Sequence, residues 1–149
     1  MPTEEFSRSV TVAATAAQVF AHLERPDNYV GLAPLVVAVR DVATLPEEVR
    51  YVAVERFRLG PLRWDNPIRV SMTFPRAGRQ VVSEVHSPGG VRLTATVELT
   101  DTPEGARVRE TIRVVFPRPL RPLVIGQATK AQRHRLAELA RRMSETHPR

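Results

Sequence analysis

Residues 6–12 alternate, with Phe6, Val10 and Val12 on one side and Ser7, Ser9 and Thr11 on the other. That is the period of a half-buried strand. Thr15 follows where its hydroxyl can cap a helix, and Gln18 three residues later completes a capping box. Val19, Phe20 and Leu23 supply that helix with an apolar face. Pro26-Asp27-Asn28 interrupts, a second short helix through Tyr29 and Leu32 is predicted, and Pro34 stops it. From Val36 onward the pattern turns to strands, predicted over 36–43, 49–59, 67–74, 79–86, 91–101 and 106–116. Their separators are Leu45-Pro46-Glu47-Glu48, Gly60-Pro61, Arg76-Ala77-Gly78, Ser87-Pro88-Gly89-Gly90 and Pro103-Glu104-Gly105. Connections this short join antiparallel neighbours, because a parallel pair needs a long crossover.

The strands have one apolar and one polar face. Ile68, Val70, Met72 and Phe74 alternate with Arg69, Ser71 and Thr73; Val91, Leu93, Ala95, Val97 and Leu99 alternate with Arg92, Thr94, Thr96 and Glu98. Such a sheet is covered on one side only, so helices must supply the cover. Pro117, Pro119 and Pro122 end the last strand and open a helix, where proline in the first turn is tolerated. This helix is predicted to reach about Met143, with Ile125, Ala128, Leu136, Leu139, Ala140 and Met143 as its apolar stripe. Thr129 and Gln132 fall on the same stripe and leave a polar gap in it. The elements together predict an α+β fold.

Composition narrows the class. A chain of 149 residues fits one domain over 1–149, and its 42% hydrophobic and 26% charged content is that of a globular protein. No apolar run is long enough for a membrane span, and the acidic start Met1-Pro2-Thr3-Glu4-Glu5 does not read as a secretory signal. The absence of cysteine removes disulfides, thiolate nucleophiles and zinc–sulfur sites together and favours a cytoplasmic location. The net charge of +6 is uneven: 118–142 holds six arginines and Lys130 against Glu138 alone.

The spaced residues Val10-x-Val12-x-Ala14-Thr15-x-x-x-Val19-Phe20-x-x-Leu23-x-x-Pro26-x-x-Tyr29-x-x-x-x-Pro34 resemble the opening of the polyketide cyclase/dehydrase branch of the START-like (SRPBCC) superfamily. The order of elements and the arginine-rich last helix are similar too. Leu32 and Ala33 depart from the pattern, since many members carry a tryptophan there. The resemblance implies a helix-grip (START/Bet v-like) fold. In it a long curved antiparallel sheet of about seven strands wraps a long C-terminal helix, with two short helices after the first strand. It also implies a cavity between sheet and helix for a lipid, isoprenoid or polyketide-like molecule. The superfamily shares no catalytic motif that could be carried over, so chemistry must be argued from single residues.

Glu110 stands between Val108 and Ile112 on the apolar face of its strand. A buried carboxylate must pair, stay hydrated or become neutral. It either orients a polar ligand group or acts as an acid or base, or else pairs with an arginine. Glu55 shares parity with Tyr51, Ala53, Phe57 and Leu59. If both glutamates face inward, they could divide acid and base roles; otherwise Glu55 pairs with an arginine at the rim. Tyr51, Trp64 and Tyr29 combine an apolar body with a polar tip, which suits a ligand site and equally suits core or rim packing. Ser83 adds a hydroxyl or simply fills a crowded layer. Phe57, Met72, Leu93, Ile112, Ile125, Ala128, Thr129 and Gln132 complete the candidate lining.

No cofactor or metal ion is expected: the histidines form no HxH or HExxH pair, and no phosphate-binding glycine motif is present. Lys130, Arg133, Arg135, Arg141 and Arg142 are read as surrounding the last helix away from its stripe. Such a face permits weak surface association or is simply solvated. No nucleic acid is expected, because no aromatic platform or recognised motif accompanies it. Three functional readings follow: a carrier or sensor of a hydrophobic small molecule, a cyclase or dehydrase using Glu110 and Glu55, or an interaction protein with a filled interior. The first is favoured by the apolar inward faces and the lack of a catalytic motif.

Overall fold

A computed structural model describes residues 2–87 and 90–146. The chain runs β1 (Thr3–Val12), α1 (Ala16–Leu23), a 3-10 turn (Pro26–Tyr29), β2 (Val36–Thr44), β3 (Glu48–Leu59), β4 (Leu62–Thr73), β5 (Gln80–Ser87), β6 (Val91–Thr102), β7 (Gly105–Val115), a second 3-10 turn (Arg118–Leu120) and α2 (Arg121–Thr146). The strands form one seven-stranded antiparallel sheet in the order β1-β7-β6-β5-β4-β3-β2. The meander from β2 to β7 is the one the short turns predict, and β1 closes onto β7. The turn expected at Ser87-Pro88-Gly89-Gly90 includes Pro88 and Gly89, which lie outside the described residues.

Two expectations change. The second short helix is only the 3-10 turn Pro26–Tyr29, with proline in its first turn. β4 begins at Leu62 rather than at 67. Its early half pairs with β3 alone, because β5 joins the ladder only from Arg69. Pro67 therefore sits where β4 is still an edge, the setting in which a strand tolerates a missing N–H.

The first helix is capped as its sequence dictates. The Gln18 amide donates to Thr15 Oγ1 at 3.1 Å and the Thr15 amide donates to Gln18 Oε1 at 2.8 Å. Asp101 of β6 reaches the same helix end, accepting from the Ala16 amide at 2.9 Å while Arg79 holds its other oxygen at 2.9 Å. Ala16, Val19 and Leu23 turn inward and join a core drawn from β3 to β7 and from Leu136, Leu139 and Met143 of α2.

Facing residues across an antiparallel ladder point to the same side, so the register defines the inner face. It carries Tyr51, Ala53, Glu55 and Phe57 of β3, Ile68, Val70 and Met72 of β4, Ser83 and Val85 of β5, Leu93 to Leu99 on alternate positions of β6, and Val108, Glu110 and Ile112 of β7. α2 runs closest to β1, and Arg121 at its start pairs with Glu4, Nε to Oε1 2.6 Å. At its far half, Arg142 donates to the carbonyls of Asn28 (2.6 Å) and Val30 (2.9 Å), and His134 Nε2 lies 2.9 Å from the Gly31 carbonyl. These bonds staple the loop after the first 3-10 turn onto the helix. Among the described residues, no helix is long and apolar enough to cross a membrane.

Candidate functional site

The stripe of α2 divides in two. Gln132, Leu136, Leu139 and Met143 are buried, whereas Ile125, Ala128 and Thr129 are only half-buried. The sheet opposite divides the same way. Met72, Val81, Leu99 and Val108 are sealed, while Glu55, Phe57, Ser83, Val85, Leu93 and Ala95 stay partly accessible on the inner face. β3, β5 and β7 end, and β6 and α2 begin, at the end where these inward residues remain reachable. These side chains therefore point inward and still remain partly reachable. Ile112 of β7 is fully buried and backs that region rather than opening onto it, as does Met72.

The sealed half ends in a polar cluster built from four elements. Glu110 of β7 is 4% exposed. Its carboxylate accepts from Arg135 of α2 in a two-pronged ion pair, with Nε to Oε2 at 3.0 Å and a second, shorter contact from Nη2 to Oε1. Gln132 Nε2 donates to the Glu110 carbonyl at 3.1 Å, which satisfies the polar gap in the helix stripe. Tyr29 donates its hydroxyl to the Leu23 carbonyl at 2.7 Å and lies 6.3 Å, ring to ring, from Tyr51 of β3. Burial pushes the Tyr29 hydroxyl well above its ordinary pKa, Tyr51 and Glu110 push the same way, and Arg135 opposes them. Burial raises Tyr51 also, again against Arg135. Desolvation works against the charge on Arg135, but the Glu110 carboxylate outweighs it and raises the guanidinium pKa above its ordinary value.

Arg135 corrects the expectation that the basic residues of α2 all face away from the stripe. It lies three residues after Gln132 and four before Leu139, which places it on the stripe. Arg142 is also half-buried and occupied by Glu138 and the loop carbonyls, and Arg141 is held by Glu138 and Glu145. The basic helix is therefore less of a free face than its charge suggests.

Glu55 behaves differently from Glu110. It faces inward opposite Val36 and Asn66, and its carboxylate makes no hydrogen bond or ion pair with any described residue. Burial alone raises its pKa above the usual carboxylate value. β6, β5 and β4 lie between the strands that carry the two glutamates, and Glu110 is committed to Arg135. Trp64 departs from its expected place in the lining. It is 49% exposed near the tip of the β3–β4 hairpin, stacked on Phe57 with 5.6 Å between ring centres, and Leu59 and Leu62 beside it are exposed too. It belongs to the rim. A separate shallow depression of about 210 Å³ is bordered by Asp41, Arg50, Tyr51, Val52, Arg69, Val70, Ser71 and His86. Arg50 and Ser71 there already serve Glu48.

One antiparallel sheet packed on one long C-terminal helix, with a short helix after the first strand, defines the helix-grip class. The chain belongs to the family described as "Polyketide cyclase / dehydrase and lipid transport", which it matches over residues 3–144. No curated protein sequence matches it. Among solved structures it is similar to the di-domain ARO/CYC BexL, with a TM-score of 0.78 at 16% identity, covering 98% of this chain and 51% of BexL. The chain thus spans about half of that protein's length. It is similar to the Zhui aromatase/cyclase from a Streptomyces species, with a TM-score of 0.74 at 14% identity over 95% of each chain. A START superfamily protein from Mycobacterium smegmatis gives 0.75 at 15% identity, over 95% of this chain and 98% of the other.

Proposed function

We propose that the chain acts as one START-like domain over 1–149 that binds a hydrophobic small molecule, of lipid, isoprenoid or polyketide type, between its sheet and α2. The observation that carries this reading is the split of the inner face. Apolar side chains such as Leu93, Ala95 and Ile125 point inward yet remain partly reachable, while their neighbours toward Leu136 and Met143 are sealed. A pocket that is mostly apolar with a few placed polar groups is the usual form of a small-molecule site. Family membership supports the same class of ligand. The bidentate pairing of Glu110 with Arg135 argues for orientation of a ligand rather than proton transfer at that position. A cytoplasmic location fits a chain without cysteine.

Glu55 supports a second reading as a cyclase or dehydrase. A partly buried carboxylic acid with a raised pKa and no partner among the described residues is suited to give or take a proton. One experiment separates the readings. Native mass spectrometry of the purified protein, followed by extraction, identifies any co-purifying molecule. A stoichiometric apolar ligand recovered unchanged supports the carrier. Turnover of a polyketide-like substrate that Glu55→Gln abolishes without loss of binding supports the enzyme. A clean apo mass and no ligand-induced thermal shift across a lipid and polyketide panel sinks both.

A further inference from the structure

The inner face of β3 carries two polar side chains that no described residue satisfies. Tyr51 is buried, 4% exposed, and its hydroxyl makes no hydrogen bond to any described residue. Among the described residues, the one sealed side-chain polar atom without a partner is Thr102 Oγ1. The Tyr51 hydroxyl is therefore not fully sealed from water, and the register turns its side chain to the inner face. Tyr51 lies 6.3 Å, ring to ring, from Tyr29, whose own hydroxyl is committed to the Leu23 carbonyl. The Tyr51 hydroxyl is thus a hydrogen-bond donor left over on the inner face.

Glu55 is the second group. It stands four residues further along the same face of β3, about 13 Å away at the rise of an extended strand. Only Ala53 lies between them on that face, and Ile68 stands opposite Ala53. The two polar groups are therefore separated by a low apolar floor. Leaving both groups to ordered water is tolerable in the empty protein, and a ligand that displaces that water must replace its hydrogen bonds or lose affinity.

We propose that the ligand is a slender apolar molecule with oxygen functions at both ends: a carbonyl or phenolic oxygen at the closed end, taken by Tyr51, and a hydroxyl about 13 Å away, taken by Glu55. This rests on the cavity reading above and adds the ligand's polarity and length to it. Tyr51 and Glu55 are then the residues that select among apolar ligands, because a site built around a hydrogen bond discriminates against analogues that lack it.

The test uses three probes on the full chain: the methyl ester of omega-hydroxydecanoic acid, methyl decanoate and decanol. Binding is followed through the single tryptophan, Trp64, at the rim and by calorimetry. The hydroxy-ester is expected to bind about tenfold tighter than either single-ended probe, the size of one net hydrogen bond. Tyr51→Phe is expected to erase the advantage over decanol alone, and Glu55→Leu the advantage over methyl decanoate alone. Equal binding of all three probes by the native protein overturns the two-ended ligand and leaves the cavity reading intact. Binding of none overturns both. The probe comparison needs no variant, so it stands even if Tyr51→Phe fails to fold.

Discussion

A buried carboxylate and a buried guanidinium each require the other. Glu110 and Arg135 meet in two parallel contacts with little solvent access on either side. Removing one partner leaves the other charged and unpaired in the interior, an effect on the order of 3 kcal/mol. Glu110→Gln is therefore expected to lower the chemical-denaturation midpoint strongly, whereas a double change to Glu110→Leu and Arg135→Leu recovers much of the loss. Equal loss in both proteins would show that the pair contributes through packing alone. The alternation of β7 gave Glu110 away, because a glutamate between Val108 and Ile112 must face the core. Arg135 was harder to read. An arginine on a helix full of arginines looks solvated, and only the demand of Glu110 for a cation, together with the spacing from Gln132 and Leu139, singles it out.

Glu55 supplies a pH signature of its own. Its folded pKa is raised by burial, so the folded chain holds that proton more tightly than the unfolded chain. The resulting stability is present below the ordinary carboxylate range and is lost as pH rises through the folded value. Glu55→Gln removes this dependence. Other acids oppose it: Asp101 and Glu48 are held low by hydrogen bonds, and Glu138 is held at about 2 by Arg141 and Arg142. They are common to both proteins and cancel in the difference. The stability of Glu55→Gln relative to the native protein is expected to be near zero in acid and to grow toward neutral pH. A flat difference across pH titrations would mean that Glu55 is solvated in the folded state.

At the level of elements, the loop after the first 3-10 turn owes its path to α2. Gly31 has φ +79, and a Cβ there would meet Arg142 Nη2 at 3.3 Å. Gly31→Ala meets both a left-handed backbone and the group that anchors the loop, so destabilisation of about 1 kcal/mol is expected. Loss of the Arg142 staple should also loosen Tyr29. Thr15→Ala, which opens the capping box of α1, is expected to lose about 1 kcal/mol; thermal melts of the two variants check both figures. The capping box was visible because its two residues sit at fixed spacing. The start of β4 was not. Arg63, Asp65 and Asn66 hide the alternation, and Pro67 suggests a break, yet the hairpin from Gly60 already commits these residues to pair with β3. Pairing overrides composition when the turn sets the register.

For the whole molecule, the unequal seating of α2 is the feature with functional content. The half ending at Met143 is buried and tied to the loop through Arg142, while the half beginning at Arg121 leaves Ile125, Ala128 and Thr129 half-open. Few sealed apolar contacts imply a low local free energy of opening. The first turns of α2 are therefore expected to exchange amide hydrogens faster than its last turns in the empty protein. A ligand that fills the cavity adds contacts to that half only. Protection should rise in the first turns of α2 and at the start of β6, with little change near Leu136 to Met143, where no space remains to fill. Uniform protection along the helix would instead indicate a global rise in stability, and protection confined to the strands near Arg69 and His86 would move the ligand to the shallow depression there.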